Sequence, residues 1–98
     1  MARTPEGKVK LRVKLLLTSI NAYYFMPATH GYGSSGIPDF IACINGRFVG
    51  IECKAGKNKA TALQEKNLNG ITKAGGLSIV VNEKNVDDLL TILGVRNV

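Results

Sequence analysis

The sequence predicts a mixed α/β fold, a central mixed sheet flanked by helices, with elements in the order α-β-β-β-α-β-α. Three observations carry that prediction. Residues 40–44 and 47–53 are two runs rich in β-branched and aromatic side chains, separated only by Asn45-Gly46. That pair is the favoured occupant of a two-residue type I′ turn, in which both positions need a positive φ. Beyond the hairpin, a stretch at helical spacing ends at Gly75-Gly76 and leads into the apolar run Leu77-Ser-Ile-Val-Val81. A β–α–β crossover of that kind lays its two strands parallel and side by side. Finally, apolar residues at helical spacing precede the sheet and follow it, which places amphipathic helices at both ends of the chain.

Thr4-Pro5-Glu6 is a helix start, with a capping hydroxyl, a proline at the first position and an acid in the first turn. The next residues carry two periodicities. Lys8, Lys10, Arg12 and Lys14 alternate with Val9, Leu11 and Val13, as in a strand, while Val9, Val13, Leu16, Leu17 and Ile20 share one helical face. The cap and the length favour the helix, which leaves Leu11 and Leu15 on its far side. Residues 23–26, Tyr-Tyr-Phe-Met, read as a strand that ends at Pro27. Residues 28–36 form a glycine- and serine-rich loop, in which His30 reads as solvated. Its amides, its hydroxyls and Tyr32 either meet a phosphate backbone or simply connect two elements.

After the hairpin and a basic turn, Thr61 and Gln64 have capping-box spacing. Leu63, Leu68 and Ile71 supply the core stripe of a helix that runs to about Ala74. The run at 77–81 is apolar enough for a strand buried on both faces. Asn85 then caps a last helix with Val86, Leu89, Leu90 and Leu93 on one face, closed by Gly94.

Ninety-eight residues suit one small domain spanning 1–98. Thirteen basic against seven acidic residues give a net charge of +6 and a pI near 9.6, which suits a polyanionic partner. No apolar run approaches the roughly 18 residues of a membrane span. In the hairpin register, Cys43 and Cys53 fall roughly 17 Å apart on opposite faces, too far for a disulfide. Two free thiols fit a reducing cytoplasm, and two cysteines with one histidine are too few for a soft zinc site.

The hairpin also concentrates chemistry. The turn makes Ile44 face Arg47, so partners have numbers that sum to 91, and Asp39 falls opposite Glu52. Directly opposed side chains have Cβ atoms about 5 Å apart. Lys54, two residues on, points to the same face. Two bare carboxylates so close repel, and a hard divalent cation removes the conflict. The alternative is a surface hairpin with solvated or paired charges.

Pro38-Asp39 followed by Glu52-Cys53-Lys54 resembles the PD-(D/E)xK nuclease signature. With its flanks, Gly36-Ile37-Pro38-Asp39-Phe40 and Ile51-Glu52-Cys53-Lys54, and a downstream Gln64, the chain resembles the VRR-NUC family, named for viral replication and repair nucleases. The resemblance runs from about Glu6 to Val81.

It implies a restriction-endonuclease-like core and a metal-dependent deoxyribonuclease. Asp39, Glu52 and the Cys53 main-chain carbonyl would hold Mg²⁺ or Mn²⁺, and Lys54 would position water or neutralise the transition state. Gln64 would point into the site rather than serve only as a cap. Glu6 matches the family's first-helix acid and would complete the metal shell, although the helix dipole explains it equally well. The loop with Tyr32 and Ser34 would border the site, and Lys57, Lys59 and Lys66 would meet DNA.

Stand-alone members resemble homodimeric junction-resolving enzymes, so the resemblance implies branched DNA as substrate, a twofold dimer and a phage-like enzyme in a bacterial or infected-host cytoplasm. A flap, end or restriction-like nuclease is the same-class alternative. A catalytically silent DNA-binding module is the alternative from another class.

Overall fold

The chain is described here by a computed structural model covering residues 4–28 and 36–95. His30, Tyr32 and Ser34 of the loop lie outside the described residues. Helix α1 spans Pro5–Ser19, and the Thr4 hydroxyl accepts the Gly7 N–H at 2.9 Å as its cap. The helical periodicity prevails over the alternating one because only a helix puts Val9, Val13 and Leu17 together in the core, with Leu16 and Ile20 beside them. Leu11 and Leu15 are exposed on the far side, as expected. Asn21, at φ 56°, makes the left-handed turn into strand β1, Tyr23–Phe25.

Strands β2 (Phe40–Ile44) and β3 (Arg47–Cys53) form the expected hairpin, with Asn45 at φ 52° and Gly46 at φ 81°. Their register, Phe40 with Ile51 through Ile44 with Arg47, keeps the predicted partner sum. Strand β1 pairs antiparallel with β2, and the Tyr24 ring tilts against Phe40 at 6.0 Å. Strand β4 (Leu77–Val81) pairs parallel with β3, so the sheet order is β1-β2-β3-β4.

The register divides the sheet into two faces. Phe40, Ala42, Ile44, Val49, Ile51 and Cys53 are buried in one cluster with the inner stripe of α1. Burial of a side chain such as Phe40 or Ile51 stabilises the fold by roughly 1.5–3 kcal/mol. The alternate positions of β3, Phe48, Gly50 and Glu52, belong to the other face. There α2 (Ala62–Lys73) packs, with Leu68 buried and Ile71 half-buried. Gly50 admits that helix: a Cβ there would lie 2.5 Å from Ile71 Cδ1. The helix ends at Ala74, and Gly75 follows at φ 103°.

Three expectations need correction. Leu63 is largely exposed on the shoulder of α2, because the helix turns Gln64, Leu68 and Ile71 toward the sheet instead. Strand β4 is an edge strand, so of its five residues only Val81 is fully buried. The last helix is shorter than its stripe suggests, a 3₁₀ turn at Val86–Asp88 followed by α3, Leu89–Ile92. Asn85 does not cap it with its side chain. Its Oδ1 accepts the Asn82 N–H and its Nδ2 donates to the Val80 carbonyl, which ties off β4. Val86 and Leu89 still enter the core, and Gly94 at φ 73° follows the helix. Among the described residues no helix is long and apolar enough to cross a membrane.

Gly36 sets the entry to β2. It adopts φ 105°, and an added Cβ would lie 2.7 Å from Leu63 Cγ and 2.9 Å from the Leu63 carbonyl oxygen. Gly36→Ala therefore combines backbone strain with overpacking and should destabilise by on the order of 1–3 kcal/mol. Gly46→Ala, equally left-handed but facing open space, should lose only about 1 kcal/mol. Urea unfolding of the two variants measures the difference.

Candidate active site

The hairpin, the start of α2 and the first turns of α1 converge at the end of β3. Asp39 occupies the bend before β2, where its Oδ2 accepts the Cys53 N–H at 2.8 Å. The β2–β3 ladder stops at Phe40 and Ile51, so the expected ladder pair of Asp39 with Glu52 does not form. Pro38 brings no N–H to extend the ladder, and the Asp39 carboxylate takes the Cys53 amide instead. This anchor leaves Oδ1 as the outward oxygen of Asp39.

Glu52 is 3% exposed, although it is a carboxylate near the end of β3. Its Oε2 accepts the Gln64 Nε2–H at 2.9 Å and lies 3.4 Å from Lys54 Nζ. Its Oε1 is buried and, among the described residues, has no hydrogen-bond partner. Gln64 forms the capping box read from the sequence and also contacts Glu52. Its Oε1 accepts the Thr61 N–H at 2.9 Å, and its own N–H donates to Thr61 Oγ1 at 3.2 Å, completing the capping box. The same amide's other end reaches Glu52, so the helix cap fixes the direction from which Gln64 addresses the site.

Burial, and after it the nearby charge of Asp39, push the Glu52 carboxyl up to about 7, against the opposing pull of the Lys54 ammonium. The Cys53 thiol is buried in the core and its pKa is raised by that burial, so this residue can offer the site only its main chain.

Glu6 does not join the two carboxylates directly. Its Oε2 lies 3.5 Å from Lys10 Nζ, and the same ammonium lies 3.6 Å from Asp39 Oδ1. Burial works against the charge on Lys10, but Asp39 and Glu6 more than offset it and raise its pKa. Sequence reasoning missed Lys10 as a site residue. The only available signal was its i,i+4 spacing from Glu6, which marks a neighbour on the helix face and says nothing of Asp39 across the fold.

The donor set of two carboxylates and a main-chain carbonyl is hard oxygen, the chemistry that suits Mg²⁺ or Mn²⁺. The unpartnered Oε1 of Glu52 fits such an ion, which would supply the missing partner and offset the buried charge. Among the described residues no group of three His, Cys, Asp or Glu side chains is placed to hold a metal. A metal here would have to be held by Asp39, Glu52 and main chain, since Glu6 is engaged by Lys10.

Lys57 and Lys59 are exposed in the turn between Lys54 and α2. The Glu83 carboxylate braces that turn by accepting the Gly56 N–H at 2.6 Å. Lys66 is exposed on α2, about 200° round the helix from Gln64, and lines a hollow beside Phe48 and Leu63. A groove runs past Glu6, Lys8 and Arg12 of α1, with Ala55, Gly56 and Asn58 on its other wall.

The displaced titration of Glu52 predicts a pH dependence of stability. Its carboxyl would ordinarily titrate near 4.5 and in the fold does so at about 7. Between those values the folded chain keeps a proton that the unfolded chain has released. The contribution is therefore fully present below pH 4.5 and is lost as pH rises through 7. In EDTA, the protein should lose on the order of 2 kcal/mol of stability between pH 5 and pH 8, and Glu52→Gln should flatten that slope. Denaturant titrations at the two pH values measure both.

No protein-family model matches the sequence, and no curated protein does. Two solved structures share the architecture. A VRR_NUC domain superposes with a TM-score of 0.75 at 23% identity, covering 91% of this chain and 97% of that one. A VRR_NUC domain protein superposes with a TM-score of 0.68 at 20% identity, covering 93% of this chain and 86% of that one. The motif residues and the three-dimensional arrangement thus meet on one architecture: this chain has the VRR-NUC fold.

Proposed function

We propose that the chain is a metal-dependent DNA endonuclease of the PD-(D/E)xK type. One observation above all supports this reading: Glu52 is buried beside Asp39 with one oxygen unpartnered, and Lys54 and Gln64 pin its other oxygen. A structural ion pair would satisfy both oxygens or move to solvent. A buried carboxylate oxygen without a partner among the described residues suits a ligand of a hard divalent cation.

In this reading Asp39, Glu52 and the Cys53 carbonyl would hold Mg²⁺ or Mn²⁺. When bound, such an ion supplies Lewis acidity toward a phosphate oxygen and lowers the pKa of water. The chain's own groups do the rest. The Cys53 amide fixes the Asp39 carboxylate, so one oxygen faces the ion without reorganising. Gln64 and Lys54 fix Glu52 in the same way. The Lys54 ammonium, 14% exposed at its side chain, stands where it can orient the attacking water and neutralise charge growing on the phosphate. Lys57 and Lys59, on the turn that follows, meet the phosphate backbone, in keeping with the net charge of +6.

The substrate in this reading is branched DNA, cut by a homodimer. A symmetric four-way junction needs two symmetric incisions and one chain offers one site, so a twofold pair is the economical solution. The exposed Leu11 and Leu15 on α1 are apolar surface available for that contact.

Asp39→Ala, Glu52→Ala and Lys54→Ala should each lower cleavage of labelled DNA by at least about 100-fold while circular dichroism stays native. The first two should also lose Mn²⁺ binding, whereas the lysine variant should keep it. Wild-type turnover by any of the three, or cleavage that persists in EDTA, refutes the assignment.

Assembly has its own test. Light scattering at micromolar concentration should give twice the chain mass, and four-way junctions should be incised in opposing strands together. A monomer mass with uncoupled nicks points instead to a flap or end nuclease.

A further inference from the structure

The site contains one cation that the proposed chemistry does not use. Lys10 stands on α1 one turn beyond Glu6, and its Nζ is 3.5 Å from Glu6 Oε2 and 3.6 Å from Asp39 Oδ1. We infer that the Lys10 ammonium is a built-in placeholder for the metal at Asp39, neutralising this carboxylate and Glu6 in the metal-free protein and giving way when a divalent cation enters. The inference rests on the nuclease reading above, and it concerns how the site loads.

The geometry carries it in three steps. First, Lys10 addresses the one oxygen of Asp39 that the fold leaves outward, since Oδ2 is committed to the Cys53 amide. A metal and the ammonium therefore compete for the same atom. Second, both contacts are longer than the roughly 2.7–2.9 Å of a strong charge-assisted hydrogen bond. The ammonium is held between two carboxylates by their field rather than locked onto either.

Third, the competitor can leave. Its side chain is 32% exposed, and a lysine stem is flexible enough to carry the charge toward water. Lys54 differs on this point: it is more deeply buried, and it pairs with the Glu52 oxygen that Gln64 also occupies, not with the unpartnered one. The two lysines thus divide the work. Lys54 stays with the ligand's fixed oxygen, whereas Lys10 covers a ligand oxygen until the ion takes it. Glu6 then acts through Lys10, as the second carboxylate that draws the ammonium to the mouth of the site.

Mn²⁺ titration calorimetry without DNA tests this, with wild type, Lys10→Met, Lys10→Gln and Asp39→Asn compared after circular dichroism confirms the fold. Removal of the competitor should tighten Mn²⁺ binding about tenfold in both lysine variants, and Asp39→Asn should lose it. Thermal melts should move in opposite directions. In EDTA the lysine variants should melt below wild type, because two carboxylates lose their counter-ion, and saturating Mn²⁺ should raise their melting temperature by more than it raises that of wild type.

Equal or weaker Mn²⁺ binding by a folded Lys10→Met and Lys10→Gln, alongside normal wild-type binding, overturns the placeholder and leaves the metal site standing. Absence of binding in every protein, wild type included, overturns the metal site and the placeholder with it.

Discussion

A carboxylate taken out of water without full compensation costs several kcal/mol, and this fold buries one at the end of an inner strand. Glu52 lies on β3, which pairs with β2 on one side and β4 on the other, and its own partner is Val80 of β4. Much of the surrounding architecture can be understood as accommodation of that group. The α2 cap orients Gln64 toward it, Gly50 two residues earlier lets the helix approach, and Lys54 two residues later follows it on the same face. The remaining imbalance, one oxygen without a partner, stays in place because the rest of the domain stabilises it.

How much of this could be read in advance depends on range. The hairpin was legible because Asn45-Gly46 fixes its register locally, and that register alone assigned the buried and the α2-facing positions of β2 and β3. Helix α1 was legible through its cap and the stripe of Val9, Val13 and Leu17. The failures came where neighbours decide. The apolar run 77–81 reads the same in a central strand and an edge strand, and nothing local says that no fifth strand covers it. Leu63 and Gln64 compete for the inner side of α2, and the buried carboxylate decided for the glutamine. The stripe after Asn85 suggested a full helix, yet the Asn85 side chain was claimed by the end of β4.

The site followed the same division. Glu52, Lys54 and Gln64 were recoverable because strand alternation and helix capping are short-range rules. The nearness of Asp39 to Glu52 was recoverable in kind but not in contact. The register placed it opposite Glu52, whereas the end of the ladder at Phe40 freed it to bind the next amide along. Lys10 was not recoverable, because its partner Asp39 lies 29 positions away in the sequence and is brought near only by the packing of α1 on the sheet. A helix-face pair with Glu6 accounts for that lysine completely until the fold is known.

Charge acts at two length scales here, with opposite signs. The chain as a whole is basic, with a net charge of +6, which favours the approach of a polyanion once it is within about a Debye length. Among the described residues of the site, Glu6, Asp39 and Glu52 face Lys10 and Lys54, so with all groups ionised the acids there are in excess. A polyanion approaching that local excess would be repelled at the last few ångströms, just where the phosphate must come closest. In the proposed reading a doubly charged cation would reverse the local sign and remove this conflict, and it would also give Glu52 Oε1 a partner. The same ion thus answers the burial of a carboxylate and the approach of a phosphate, which ties the local strain in the fold to the chemistry proposed for it.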